Sequence, residues 1–393
     1  MSGGDGLEHG AKPEIKHFRL PTIIIFSILI FAFGVVAAID PLGAGGLPLS
    51  ILAAALLASL ALDARGNGAI FFALGGISMI VSIAFFVVGG ESVSEAIRHA
   101  LGAVYPTAFA FPVWATVRRG YGRSVSIGMS AALGTMLWLI IAALDVYALT
   151  GTLDAESVRV FIDECFEPMR DTLSGLKLQT FSGGQALLSE SDIESLIVNV
   201  KMLLPGTIIS VMVVSAYLVT VGVRIVANTF ELSGMLPVTR CLVIRRRPIQ
   251  PGESQSTDSA PDSPRRVGGP VEAEISFHDV CWRIELDTVS AVVFIAAYLF
   301  SVLFSSSGGK TLPLAAAAQN LVIILSPGFI YCGLREIFHP TGNGRKGCFL
   351  IALSVVLAIL NPLTLVLLLS VVGVTAVLRE SRARGQIAKN GKE

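Results

Sequence analysis

The sequence predicts an all-α, polytopic helical membrane protein of about ten transmembrane helices, with both termini cytoplasmic. Three observations carry that reading. The first is composition: 53% of residues are hydrophobic and 15% charged, with a mean hydropathy of +0.72, whereas an ordinary soluble domain has about 25% charged residues. The second is a series of apolar stretches near twenty residues long, the length a helix needs to cross a hydrocarbon core of roughly 30 Å. The third is charge segregation behind a formal net charge of zero. Asp154, Glu156, Asp163, Glu164, Glu167, Asp171, Glu190, Asp192 and Glu194 precede the uncharged stretch 203–223, and Arg224, Arg240, Arg245, Arg246 and Arg247 follow it. Lys and Arg accumulate on cytoplasmic flanks, so this helix runs from outside to inside and orients every other span.

Residues 1–19 form a polar, Gly-rich cytoplasmic tail carrying Lys12, Lys16 and Arg19. The apolar run 20–39 is longer than the roughly 7–15 residues of a signal-peptide core and lacks a small-x-small ending, so it reads as a retained first span. The second span, 47–62, has Ala54/Ala58 and Ala55/Ser59 at the spacing that lets helix backbones approach closely. The third is 69–88. The fourth, 97–117, is interrupted by Pro106 and Pro112 and reads equally well as a broken or re-entrant element. The fifth, 126–147, carries the best small-residue stripe, Ser126, Ser130 and Gly134, and closes an N-terminal membrane bundle over 20–148.

The external segment 149–201 places Val158, Phe161, Ile162, Cys165, Phe166, Met169 and Leu173 at helical spacing. That pattern predicts an amphipathic helix lying on the membrane surface or capping the bundle. Ser191 and Glu194 form a capping-box pattern that starts the next helix near Asp192, with the sixth span at 202–226 and Pro205 as a bend. Residues 227–287 are a cytoplasmic connection whose centre, 248–270, is Pro, Ser, Gly and Asp with almost no apolar residue and is expected to be disordered. The C-terminal bundle, 288–378, holds spans at 288–304, 312–334, 348–360 and 363–378, the last two joined at Asn361-Pro362, and a basic tail follows from 379 to 393. With this threading the great majority of the 29 Lys and Arg lie inside. Eight or nine spans result instead if 97–117 or the final hairpin is re-entrant.

The chain has no H-E-x-x-H, G-x-S-x-G or G-x-x-x-x-G-K-[ST] motif and no carboxylate pair within one span. None of the five cysteines is spaced for metal, and only Cys165 falls in an external segment, so no disulfide framework is expected. The reading is of a protein that is not an enzyme, with no catalytic residue, no metal and no cofactor. No basic excess points to nucleic acid. The implied partner is the lipid bilayer, together with a membrane or cytoplasmic protein.

Ionisable and amide groups at membrane depth are costly unless paired or hydrated, which makes them the candidates for binding. Asp145 near the outer end of the fifth span can hold a cation or polar solute; solvation at headgroup level is the commoner fate. His99, with Arg98, opens the fourth span as a ligand or an interfacial anchor. Tyr105 beside Pro106 marks either an unwound binding segment or a packing kink. Gln319 and Asn320 line a polar site or hydrogen-bond to a neighbouring helix, the latter being commoner. Arg118, Arg119 and Arg123, and Arg245, Arg246 and Arg247, are candidate contacts for a partner or anionic lipid, although topology alone accounts for both patches.

Several short motifs recur together: a Gly- and Pro-rich first turn from Asp40 to Pro48, Arg118-Arg119-Gly120, Leu204-Pro205-Gly206, Ser276-Phe277 through Trp282-Arg283, and a closing hairpin ending at Arg379. With them the chain resembles the YybS-like family of uncharacterised bacterial multipass membrane proteins over residues 20–384. Glu285 and the long insert 248–270 depart from that pattern. The resemblance implies the bacterial cell membrane and a distant similarity to the substrate-binding subunits of energy-coupling-factor transporters. Those subunits capture vitamins or metal ions and pack on a scaffold through small-residue helix faces. The expected function is a transport-related small-molecule or ion-binding membrane subunit, any ATP-driven step needing a separate ATPase. The alternative is a membrane scaffold or regulator that recruits partners through its cytoplasmic connection.

Overall fold

Helices form wherever the sequence keeps a long apolar run free of charge, and their ends fall where Gly, Pro or ionic residues interrupt it. In the computed structural model, which describes residues 18–39, 45–119, 121, 123–178, 190–230, 286–305, 312–338 and 362–390, these are α1 (Leu20–Ile39), α2 (Gly46–Asp63), α3 (Ala73–Val88), α4 (Val93–Ala100), α5 (Tyr105–Arg118), α6 (Arg123–Thr150), α7 (Ala155–Leu178), α8 (Glu190–Thr229), α9 (Thr288–Ser305), α10 (Leu312–Phe338) and α11 (Pro362–Asn390). No strand occurs among the described residues. Among the described residues seven segments are long and apolar enough to cross a membrane: Leu20–Ile39, Gly46–Asp63, Asn67–Val88, Glu95–Arg118, Arg123–Thr150, Glu190–Ala227 and Pro313–Ile337; Thr288–Phe304 is a shorter apolar helix. Large apolar side chains such as Ile24, Ile25 and Ile28 on α1 and Val289, Leu299 and Phe300 on α9 are exposed, a surface that fits lipid rather than water. The chain is a polytopic helical membrane protein. The expected ninth span, 348–360, the insert 248–270 and Arg245–Arg247 lie outside the described residues.

α2 is the axis of the N-terminal bundle. Ala53, Ala54, Leu57, Ala58, Ser59 and Ala61 are all fully buried, because small side chains on every face let α1, α5 and α8 approach together. The stripe on α6 is spent in the same way. The Ser130 hydroxyl donates to the Phe109 carbonyl of α5 at 3.0 Å, and Gly134 lies under the Phe109 ring and the Met212 sulfur. Both small-residue faces pack within the chain, so neither is a free surface for an external scaffold.

The interrupted fourth span is α4, a 3-10 turn over Leu101–Val104, and α5. A capping box between Ser92 and Glu95 starts α4 earlier than the apolar pattern alone predicts. Pro106 has no N–H to return to the turn before it, and the chain tightens there into 3-10 geometry. The path nonetheless continues from Glu95 to Arg118 at crossing length. The third span differs similarly: Arg65–Phe72 is 3-10, and α-helix begins only at Ala73.

α8 has 40 residues, about 60 Å of helix, twice a hydrocarbon core. It is already helical at Glu190, ahead of the expected start at Asp192, and Glu194 pairs with Arg170 of α7 at 2.9 Å. Within it Pro205 frees a carbonyl one turn back, and the helix is patched from α10. Gly206 N–H donates to Asn320 Oδ1 at 2.6 Å, and Asn320 Nδ2 donates to the Met202 carbonyl at 2.8 Å. These two backbone groups are each other's partners in a regular helix, and both engage one side-chain amide. Gly206 is required because a Cβ there would stand 2.8 Å from the Asn320 Cα. Replacing Asn320 by Leu is expected to lower stability by about 2–3 kcal/mol through two unsatisfied groups and an overfilled contact. Thermal unfolding of the purified protein measures this, and Asn320→Gln should recover little because the longer chain misplaces the amide.

The helix ends sort into two sets. Phe18 N–H donates to Asp63 Oδ2 at 3.1 Å and its ring meets Phe230 at 5.3 Å, gathering the start of α1 and the ends of α2 and α8. The start of α9, the end of α10 and the polar part of α11 gather through Thr288–Ser381, Arg335–Glu380 and Arg379–Glu336. Tyr217 and Tyr331 meet at 5.4 Å, as far along α8 and α10 as the Gly206–Asn320 contact is behind them, so these two helices run parallel.

Candidate functional site

α7 is amphipathic, and its apolar stripe does not lie bare. Val158, Phe161, Ile162, Cys165 and Phe166 roof a cavity of ≈ 970 Å³ whose walls are α6, from Thr135 to Val146, and α8, from Leu204 to Ile209, with Tyr105 of α5 completing it. α7 packs against α6 and α8. The wall along α6 spans twelve residues, from Thr135 to Val146, about 17 Å of helix.

Local chemistry sets the roof in place. After Thr150 the chain turns at Gly151, whose φ of +75° suits a residue without a Cβ. Asp154 caps the new helix by accepting from the Ser157 N–H at 2.8 Å, which holds its carboxyl below the ordinary carboxylate range. Two ionic ties then fasten α7 to α8: Arg170 with Glu194, and Lys201 with Asp163, whose carboxyl the Lys201 hydrogen bond also pulls down. Lys201 further sits 5.5 Å above the Phe166 ring.

The cavity is lined overwhelmingly by apolar groups, and its few polar ones are specific. Tyr105 is fully buried and its hydroxyl has no hydrogen-bond partner. Ser50, Thr107 and Ser126 also carry orphaned buried hydroxyls, but only Tyr105 among these lines the cavity. A buried unsatisfied hydroxyl costs about 1–3 kcal/mol. Tyr105→Phe is therefore expected to stabilise the empty protein by about 1–2 kcal/mol in thermal unfolding while weakening whatever binds there. A loss of stability would mean that the hydroxyl has a partner after all.

Where α6 nears α4, Asp145 pairs with Arg98 at 3.2 Å. Arg98 Nη2 lies 3.1 Å from His99 Nε2, and His99 Nδ1 lies 2.9 Å from Glu91. Both contacts are satisfied when Nδ1–H donates to the carboxylate and Nε2 accepts from the guanidinium, which fixes the ring tautomer. His99 also packs edge-on against Phe86 at 5.3 Å. A smaller recess of ≈ 400 Å³, lined by Glu95, Arg98, Asp145, Phe161, Glu164 and Cys165 among others, adjoins the cavity and shares Asp145, Phe161 and Cys165 with it. Cys165 is exposed, and burial of its sulfur, then Glu164 and Asp145, push the thiol up. Among the described residues no three His, Cys, Asp or Glu gather as a metal site.

Of the five candidate binding residues, the fold brings Asp145 and Tyr105 to the same cavity. His99 stands in the outer chain Glu91–His99–Arg98–Asp145 rather than on the cavity wall. Asn320 is a tie between α8 and α10, and Gln319 does not line the cavity. Arg118 lies 5.2 Å over the Trp114 ring, Arg119 is the cap residue after α5, and Arg123 opens α6. Residues that sequence reasoning passed over include Thr135, Trp138, Glu95 and Glu164. Phe161, Ile162, Cys165 and Phe166 were visible as a stripe, but nothing in that stripe says that it faces a void.

No family model, curated protein or solved structure matches this chain. The site must therefore be read from its own geometry.

Proposed function

We propose that the protein is a transport-related, small-molecule-binding subunit of the bacterial cell membrane, related to the YybS-like family, that captures its ligand in the cavity beneath α7. One observation carries this reading: a cavity of ≈ 970 Å³ built into the bundle whose buried tyrosine hydroxyl lacks a partner. Ligand pockets are apolar clefts of about 300–1,000 Å³ with a few placed polar groups, and a buried hydroxyl left open by the protein is satisfied by a guest. The family reading rests on Leu204-Pro205-Gly206 and the other short motifs, and a membrane location outside bacteria would remove it. The polar side chains of the lining are few, the Asp145 carboxylate, the Tyr105 phenol, the Thr135 hydroxyl and the Cys165 thiol, and so sparse a set suits binding without chemistry.

The test is thermal stabilisation of the purified full chain by a panel of apolar-bodied solutes, vitamins, nucleobases, amino acids and metal ions. A ligand at a hundred times its Kd raises stability by about 2.7 kcal/mol. At least one compound with an apolar body is expected to do so. A flat response from folded protein across the panel would refute a ligand site.

A further inference from the structure

The walls and mouth of the cavity specify the ligand more closely than its volume does. The recess at the mouth presents three carboxylates, Glu95, Asp145 and Glu164, against the single guanidinium of Arg98. Asp145 is answered by Arg98 and Glu95 accepts from Ser92, but neither contact cancels the excess of negative charge. The Cys165 thiol lines both the recess and the cavity, and its thiolate is disfavoured first by burial and then by Glu164 and Asp145. Tyr105, Trp138, Phe161 and Phe166 contribute aromatic rings to a lining that is otherwise mostly aliphatic, and aromatic faces attract cations, as Lys201 over Phe166 already shows. Tyr105, buried and with its hydroxyl unpartnered, belongs to the same wall. Arg98 is seven residues before Tyr105, about 10 Å further out along the chain, so the acidic end and the aromatic body lie in line.

We propose that the cavity binds a lipophilic organic cation, its apolar body among the aromatic rings beneath α7 and its positive charge facing the acidic recess at Asp145 and Glu164. An anion of the same shape is repelled by the recess, and a small hydrated metal ion gains nothing from the apolar wall. The inference rests on the ligand-site reading above, which supplies the cavity; what it adds is the sign and character of the guest.

Tetraphenylphosphonium and tetraphenylborate separate the two claims, because they are alike in shape and opposite in charge. Binding is measured on the full chain in nanodiscs as the component removed by Thr135→Trp/Ala142→Phe, which crowds the cavity without touching its charges. Tetraphenylphosphonium is expected to bind at least tenfold more tightly than tetraphenylborate. Glu164→Gln is expected to weaken the cation about five- to tenfold and to narrow that ratio, while Glu156→Gln, an equal charge change on the α7 turn facing away, leaves both unchanged. In a chain whose Cys241, Cys281 and Cys348 are serine, the cation should also slow maleimide labelling of Cys165. Equal binding of both ions, lost alike in the crowded variant, overturns the cationic preference and leaves the cavity as a site. If the crowded variant removes no component of either ion's binding, the cavity reading itself is overturned.

Discussion

A Gly373→Ala chain is expected to lose about 3 kcal/mol or more of stability. α10 and α11 cross at Gly333 and Gly373, where the backbones themselves touch. A Cβ on Gly373 would lie on the Phe329 carbonyl oxygen, and one on Gly333 would lie on that of Leu369. Overpacking ordinarily costs about 1–3 kcal/mol because side chains can shift; here the obstacle is helix backbone, and the two helices must separate. Separation would open the cluster of Phe329, Val374 and Val377 beneath α9, and the flanking pairs Arg335–Glu380 and Arg379–Glu336 do not compensate, since a partly exposed ion pair contributes at most about 1 kcal/mol. Gly76→Ala is the control. It adds the same methyl on α3, where nothing stands within 4 Å, and helix propensity makes it neutral or stabilising by up to about 1 kcal/mol. Thermal unfolding of the two variants in one detergent decides the matter, and equal midpoints would show that α10 and α11 do not cross at these glycines.

Thr135→Trp/Ala142→Phe is expected to abolish ligand binding, by more than about a hundredfold or roughly 2.7 kcal/mol, with the folded chain as stable as before or more so. Positions 135 and 142 are seven residues apart on one face of α6, and both line the cavity. Bulky side chains at both occupy the space that a guest needs. They also acquire neighbours on α7 and α8 that the wild-type lining lacks, and filling a void recovers packing energy. Loss of binding with retained stability separates occlusion from misfolding. The reverse outcome, a destabilised chain that still binds, would mean that α6 faces a packed neighbour at these positions and that the ligand enters elsewhere.

The membrane class, the packing role of the alanines on α2 and the amphipathic character of α7 were all legible in the sequence. Each is encoded within a single element as composition or period. Which elements meet was not. Arg98 and Asp145 stand 3.2 Å apart in the fold but on different helices, and neither has a sequence feature that names the other. The Asn320 amide showed as a polar group at membrane depth, yet its partner is the backbone around Pro205, and only the proline's missing N–H hinted that α8 needed help from outside. The capping box that starts α4, Ser92 with Glu95, is a local signal that apolar periodicity overlooked. The cavity was least legible of all, since a helix stripe facing a void and one facing a packed neighbour have the same spacing.

The most direct measurement is a cryo-electron microscopy map of the full chain in nanodiscs containing a native lipid extract. The account predicts non-protein density between α6, α7 and α8, reaching the Tyr105 hydroxyl and ending beside Asp145. A map in which α7 lies directly on α6 and α8, with Phe161 and Phe166 filling the space down to Tyr105, would contradict it.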